Sequence, residues 1–267
     1  MRKILSVLFF AFCAVSLYGV AVISERLEAE DVSVRTWIDR GDARLATIHE
    51  ENIRKAVTEY ESALRLDPES YEANWKMARA YCLILDIKTN IMIEEKKEYK
   101  PFLKDLGEKA GFYGAKAYAA NPKGLDALVW YNGSYAYHAS SMGIIKAILN
   151  GAGAKVKILA NELIKQNDRY HGAFGYRILG RFYLNAPFPI GSRRKAMEHF
   201  KKAVDKAPAD LQNHYWLGEA YRREGRAKEA KEQFEFVAAN PPADIEAHLA
   251  GILKQYAQKY LDEINKS

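Results

Sequence analysis

Residues 196–208 read AMEHFKKAVDKAP, and residues 230–242 read AKEQFEFVAANPP. Four positions of the first segment recur 34 residues later: Ala196, Phe200, Ala203 and Pro208 return as Ala230, Phe234, Val237 and Pro242. A glycine-containing stretch precedes each segment, with Gly180 before the first and Gly218 before the second. Small residues let two antiparallel helices approach closely, and large residues fill the gaps between them. The pattern therefore predicts tandem helical hairpins.

The 34-residue period and this alternation of small and large residues are those of the tetratricopeptide repeat, or TPR. Weaker copies lie upstream, beginning near Trp37, Tyr71 and Trp130, with a long insertion from about residue 86 to 99. The third copy has a connection over residues 140–154 and a second helix over 155–166. A final amphipathic stretch, 245–264, is typical of a capping helix. The sequence predicts an all-α, TPR-type solenoid of about five helical hairpins with a C-terminal cap.

The first residues have the pattern of an export leader. Met1-Arg2-Lys3 is a short basic region, an apolar stretch follows, and Gly19-Val20-Ala21 offers small residues for cleavage. Residues 1–21 are predicted as a signal peptide or, since residues 4–23 could cross a bilayer, as an N-terminal membrane anchor. Either interpretation places one TPR-like domain, residues 24–267, outside the cytoplasm, in a bacterial periplasm. Phe12 before Cys13 argues against a lipoprotein leader.

The charge of the 267-residue chain is unevenly distributed. Its formal net charge of +6 is too small to indicate nucleic-acid binding by itself. Residues 24–98 carry 12 basic and 17 acidic side chains, whereas residues 169–231 carry 14 and 6. The basic region could steer an acidic partner, or Lys201, Lys202, Arg222 and Arg223 could be ordinary solvated surface.

Helix A of each TPR unit supplies most of the concave face, at template positions 5, 9 and 12. Aromatic surface with a few guanidinium groups could hold an apolar ligand with an acidic head, a peptide or a partner helix. For Trp75 and Trp130 the alternative is helix packing, and for Arg177 it is a salt bridge. The candidate binding residues are Trp75, Arg79, Trp130, Ser134, Tyr137, Arg177, Arg181, Tyr215, Glu219 and Arg222.

Catalytic and metal-binding patterns are missing from the sequence. The six histidines include no pair with i, i+4 spacing, and no GxSxG nucleophile motif occurs. Cys82 has no evident histidine partner and is expected in the core. We therefore expect no enzymatic activity, no metal and no cofactor.

Residues from about 70 to 240 resemble the T-component of TRAP transporters (the TatT-like family). The resemblance rests on GAKA running into NP over 114–122, ALVW at 127–130, DRYHG at 168–172, YRILGRFY at 176–183 and the loop APFPIGS at 186–192. It implies an extracytoplasmic helical protein that accompanies a substrate-binding component for apolar or carboxylated ligands. The chain departs from the family by lacking a lipobox and by having Arg169 where proline is common. Eukaryotic regulators of microtubule dynamics show a more distant resemblance.

The function expected from these features is docking of another extracytoplasmic protein, such as the solute-binding component of a TRAP-type transporter. Two alternatives stay open: a direct carrier of an apolar or carboxylated small ligand in the concave groove, and a cell-envelope scaffold that recognises peptide segments. Homo-oligomerisation is also left open by the sequence. The carrier hypothesis requires an enclosed pocket reached by Trp75, Trp130 and Arg177.

Overall fold

The computed structural model describes residues 33–266. The predicted leader, residues 1–21, the anchor alternative at residues 4–23 and the first residues of the predicted domain lie outside the described residues. Throughout the part that is described, regular structure is helical, and none of it is strand. The predicted all-α fold is confirmed.

Ten α-helices form five antiparallel hairpins, and two further helices are added to them within residues 33–266. The hairpin helices are α1 (Val34–Arg44) with α2 (Glu50–Leu66), α3 (Tyr71–Thr89) with α4 (Lys100–Ala120), α5 (Leu125–Met142) with α7 (Ala152–Gln166), α8 (Tyr170–Asn185) with α9 (Arg193–Lys206), and α10 (Leu211–Arg223) with α11 (Ala227–Ala239). The added helices are the short α6 (Ile144–Leu149) and the cap α12 (Ala250–Ile264).

Local sequence sets where several helices begin. The hydroxyl of Ser70 accepts from the backbone N–H of Ala73, that of Ser192 accepts from Lys195, and the carboxylate of Asp210 accepts from Asn213. Each cap satisfies a backbone donor that the first helical turn leaves unpaired.

The repeat residues pack as the alternation of small and large residues predicts. A Cβ added at Gly180 would lie 2.5 Å from Phe200, and one at Gly218 would lie 2.9 Å from Phe234. In the first hairpin, Gly41 meets the ring of Tyr60 in the same way. In these three hairpins the glycine of helix A thus admits the aromatic ring of helix B, and the two helices approach closely there.

Successive units stack because helix A of one unit also contacts helix A of the next, as α3 does with α5, α5 with α8, and α8 with α10. This arrangement gives the predicted TPR-type solenoid. No helix within residues 33–266 is both long and apolar enough to cross a membrane.

The connections differ in detail from the sequence prediction. The segment 140–154 is not a simple linker, because it contains α6, and α7 already begins at Ala152. The insertion is two short 3-10 turns, Asn90–Met92 and Lys97–Tyr99. The cap begins as a 3-10 turn, Asp244–Leu249, before α12, and this turn places Leu249 in the core with 4% of its surface exposed.

Candidate functional site

A cavity of about 900 Å³ lies on the concave side of the solenoid. Helix A side chains of the second, third and fourth units form much of its wall, and the turn between α1 and α2 contributes as well. Two segments outside the helices complete it, the insertion after α3 and the 3-10 turn before α12. The insertion contributes Ile91, Met92 and Glu95, and the turn contributes Ala247, His248 and Leu249.

Five of the ten candidate residues line this cavity: Arg79, Trp130, Tyr137, Arg177 and Arg181. They come from α3, α5 and α8, the three helix A elements whose neighbouring faces meet in the middle of the solenoid. The carrier hypothesis required an enclosed pocket reached by Trp75, Trp130 and Arg177. The cavity is partly open, and of these three residues Trp130 and Arg177 reach it.

The other five candidates do not line it. Trp75 is half-buried beside the ammonium of Lys76, and Ser134 is fully buried and donates to a backbone carbonyl. Tyr215 lies in the C-terminal core. Glu219 is 3% exposed and accepts hydrogen bonds from Arg222. The ring of Tyr215 lies 6.5 Å from that of Tyr260 in the cap, so the C-terminal helix covers this position.

Arg177 has a structural role. Its Nη1 atom donates to Oδ2 of Asp210 at 3.0 Å, to Oδ1 of Asn213 at 2.9 Å and to the carbonyl of Gly172 at 2.8 Å. Only 3% of its surface is exposed. The salt-bridge alternative for Arg177 therefore holds, and its charge is neutralised inside the protein.

Arg177 also stabilises an unusual start of α8. Residues 171–173 have φ angles of 50°, 65° and 57°, in the left-handed region that L-residues rarely adopt. Arg177 donates to the carbonyls of His171 and Gly172 in this turn. The turn places the His171 ring in the cavity wall, where it meets Trp130 edge-on with 5.1 Å between ring centroids.

Arg181 is engaged as well. Its Nη2 donates to the carbonyl of Ile91 at 2.8 Å, and its guanidinium lies 4.3 Å from the centre of the Trp216 ring. Burial lowers the pKa of Arg181. Nearby, Asp86 accepts a hydrogen bond from the hydroxyl of Tyr137 and lies 3.8 Å from Nε2 of His248. These groups neutralise one another at this end of the cavity.

Arg79 differs from the other two arginines. It is half-buried, and its guanidinium lies 5.9 Å from the centre of the Trp130 ring. Among the residues that the structure describes, no carboxylate pairs with it and no group accepts a hydrogen bond from it. Arg79 therefore presents an uncompensated positive charge next to aromatic surface.

Three titratable side chains of the cavity wall have strongly shifted pKa values. Burial, together with the charges of Arg177 and Arg79, lowers the pKa of His171 to about 3. Burial first and the nearby Asp86 second raise the pKa of Tyr137 and that of the Cys82 thiol. Within residues 33–266, no group of three or more His, Cys, Asp and Glu side chains could hold a metal ion.

The model of one protein family, Regulator of microtubule dynamics protein 1-3, matches residues 38–263. The chain belongs to this family. This family is the more distant of the two resemblances seen in the sequence, and the nearer one was to the TRAP T-component. No match supports the T-component specifically. Among curated proteins, no sequence matches the chain.

Solved structures show that this member of the family has the TPR fold. TTC0263, a TPR protein of Thermus thermophilus, superposes with a TM-score of 0.58 at 20% identity, over 83% of this chain and 99% of its own. The pilF protein of Pseudomonas aeruginosa superposes with a TM-score of 0.53 at 15% identity, over 88% and 89% of the two chains.

Sequence reasoning missed the cavity residues outside the TPR template. Ile91 and Met92 lie in the insertion, which the sequence analysis located without predicting its course. His171 was noticed only as part of the DRYHG motif, and His248 gave no sequence signal. The length of the insertion was the sequence signal for these residues, because the two helices of a hairpin are usually joined by a short connection.

Proposed function

We propose that this protein is a non-enzymatic binding protein that holds an elongated, mostly apolar ligand with an anionic head in the concave cavity. The observation that carries the proposal is Arg79, a cation in the cavity wall for which the described residues provide no ion-pair or hydrogen-bond partner. Buried charge is costly unless it is paired. A ligand that supplies an anion to Arg79 and apolar surface to the rest of the wall removes that cost.

The dimensions of the cavity support a small ligand. Drug-sized ligands occupy pockets of roughly 300–1,000 Å³ whose walls are mostly hydrophobic and aromatic, with a few polar groups that orient the ligand. The present cavity holds about 900 Å³. Phe174, Ile178 and Phe182 line it along α8, next to the polar residues already described.

The pKa shifts of three cavity side chains support a function without catalysis. General acid–base catalysis works best with a pKa near the operating pH. At pH 7 His171 is neutral, and Tyr137 and Cys82 keep their protons. None of these three side chains therefore has a pKa suited to general acid–base catalysis, and neither Tyr137 nor Cys82 is present as an anionic nucleophile.

The experiment compares two probes, dansyl-labelled undecanoic acid and its neutral methyl ester. We expect wild type to bind the acid more tightly, and Arg79→Met to weaken acid binding by roughly tenfold to a hundredfold, as for loss of a charged hydrogen bond. Ester binding should be unchanged. Arg65→Met, an exposed arginine outside the cavity, is the matched control. Equal affinity of wild type and Arg79→Met for the acid would overturn the proposal.

A second candidate function is docking of an acidic partner protein, of which a transporter solute-binding component is one example. Lys195, Lys201 and Lys202 on α9 are exposed and have no carboxylate partner among the described residues. Each ammonium lies over a tyrosine ring at 5.3 to 5.9 Å. These three lysines form a basic surface, called here the α9 surface, that is separate from the cavity.

The extracytoplasmic location and the transporter role stay predictions from the leader and the resemblance. Cell fractionation with mass spectrometry of the recovered protein tests the location. Cleavage near Ala21 would give a shortened chain in the periplasmic fraction, and an uncleaved anchor would give an intact chain in the membrane fraction. An intact, cytoplasmic chain would contradict it.

A further inference from the structure

The insertion at residues 90–99, called here the strap, leaves its own hairpin and crosses to the other end of the solenoid. Ile91 and Ile93 are 1% and 7% exposed, and they belong to the same core cluster as Trp216, Leu249 and Tyr256. The strap therefore joins the second unit to the fifth unit and the cap. Between α10 and α11, by contrast, residues 224–226 alone join the two helices of the hairpin.

Polar contacts tie the strap to the C-terminal units. Oε1 of Glu94 lies 2.8 Å from Nζ of Lys259 on α12, across 165 residues of sequence. The carbonyl of Ile91 accepts from Arg181 at 2.8 Å, across 90 residues. Glu94 and Lys259 are about one third and one half exposed, so their ion pair lies at the surface where water and salt can compete with it.

The strap and the C-terminal 3-10 turn meet above the cavity. Met92 of the strap and His248 of the turn both line it, and Nε2 of His248 lies 3.8 Å from Asp86, near the end of the helix that precedes the strap. The concave face of a solenoid is otherwise an extended open surface. The strap and the 3-10 turn therefore cover part of the groove and deepen it into a cavity.

The strap is held in an unfavourable backbone conformation. Asn90, Ile91 and Met92 have φ angles of 48°, 48° and 56°. The left-handed region is sterically unfavourable for L-residues, and a β-branched residue such as Ile91 is a rare occupant. Contacts with the C-terminal units must offset this cost, because a chain segment on its own would relax. Loss of those contacts therefore favours release of the strap.

We propose that the strap is a gate, closed by its contacts with the C-terminal units, through which the ligand enters and leaves the cavity. This inference rests on the proposed function, since it concerns regulation of the same site. A ligand held beneath a closed strap exchanges only during the fraction of time that the strap is open. Weaker contacts raise that fraction, so the association and dissociation rates rise together and the affinity changes little.

The Glu94–Lys259 pair provides the test, because its charges can be exchanged. We expect Glu94→Lys and Lys259→Glu each to speed association and dissociation of the dansyl-labelled acid by roughly two- to fivefold. The double variant, which restores an ion pair of opposite direction, should return both rates towards wild type. Asp105→Lys is the matched control, because it reverses one charge of an exposed ion pair on α4.

The outcomes separate the gate from the proposed function. Exchange rates that do not change in Glu94→Lys, with acid binding still dependent on Arg79, would overturn the gate alone. Acid binding that does not depend on Arg79 would overturn the proposed function. Hydrogen exchange without ligand tests the strap directly through the amide of Ile93, which donates to the carbonyl of Asn90 at 3.0 Å. Unchanged exchange of that amide in Glu94→Lys would overturn the gate in either case.

Discussion

At the scale of single residues, three arginines of the cavity wall differ in what already neutralises them. Arg177 pairs with Asp210 and two other acceptors, and Arg181 donates to a carbonyl and stacks on an indole ring. Arg79 lies over the face of Trp130, and no described residue forms an ion pair or a hydrogen bond with its guanidinium. The capacity to bind an anion therefore depends on the surroundings of the guanidinium, and not on the presence of arginine alone.

A substitution at Arg177 separates its structural role from a binding role. Arg177→Met should destabilise the protein by about 3–5 kcal/mol, because it leaves the charge of Asp210 buried without a partner. Urea unfolding measures this change. Adding Asp210→Asn should recover part of the loss, since the remaining amide needs no counter-charge and its oxygen can still cap α10. An unaffected unfolding midpoint in Arg177→Met would show that the buried pair is not structural.

At the scale of helices and hairpins, the glycine of helix A determines how closely helix B approaches. Gly180 meets the ring of Phe200 at a distance that leaves no room for a methyl group. Gly111, in α4, has nothing within 4 Å of an added Cβ. The same substitution should therefore have opposite effects at the two sites.

Gly180→Ala should lower stability by about 1–3 kcal/mol through overpacking against Phe200. Gly111→Ala should raise it by about 0.5–1 kcal/mol, because alanine is the better helix former in an open helix position. Thermal unfolding of the two variants beside wild type gives the comparison. A Tm for Gly180→Ala at or above that of wild type would contradict close packing within the fourth hairpin.

Prediction from sequence worked well at this scale because the determinants are local. The 34-residue spacing, the small positions and the cap at Ser192 each depend on residues close in sequence. The short helix α6 was missed, since its apolar, glycine-flanked sequence fits a linker as well as a helix. The course of the strap was missed because Ile91 is stabilised by partners that lie 90 or more residues away.

At the scale of the whole molecule, the ion pairs show which side chains of the basic region are already neutralised and which are exposed. Residues 169–231 have a net charge of +8, but Arg222 and Arg223 both pair with the buried Glu219. Their reversal would disturb the C-terminal core, so it cannot report on steering. Lys201 and Lys202 stay exposed, and they belong to the α9 surface that could attract an acidic partner.

Reversal of these two lysines tests the second candidate function. If the α9 surface steers an acidic partner captured from envelope extract, Lys201→Glu with Lys202→Glu should slow association and weaken its dependence on salt. Stopped-flow or surface-based kinetics at two ionic strengths measure both effects. Reversal of Lys104 and Lys123, exposed lysines elsewhere, keeps the net charge equal. Equal slowing by both pairs would mean that net charge, and not the α9 surface, sets the rate.

The sequence by itself determined the helical hairpins, their repeat and their number, because helix formation and the packing of adjacent helices depend on neighbours within one repeat. It also indicated Arg79, Trp130 and the other concave residues by their place in the template. Only the tertiary structure decided which arginine keeps its charge free and which candidates are buried. It also decided that the strap closes the groove. Those properties depend on contacts between distant units, such as that of Glu94 with Lys259. Such contacts cannot be predicted from a local sequence pattern.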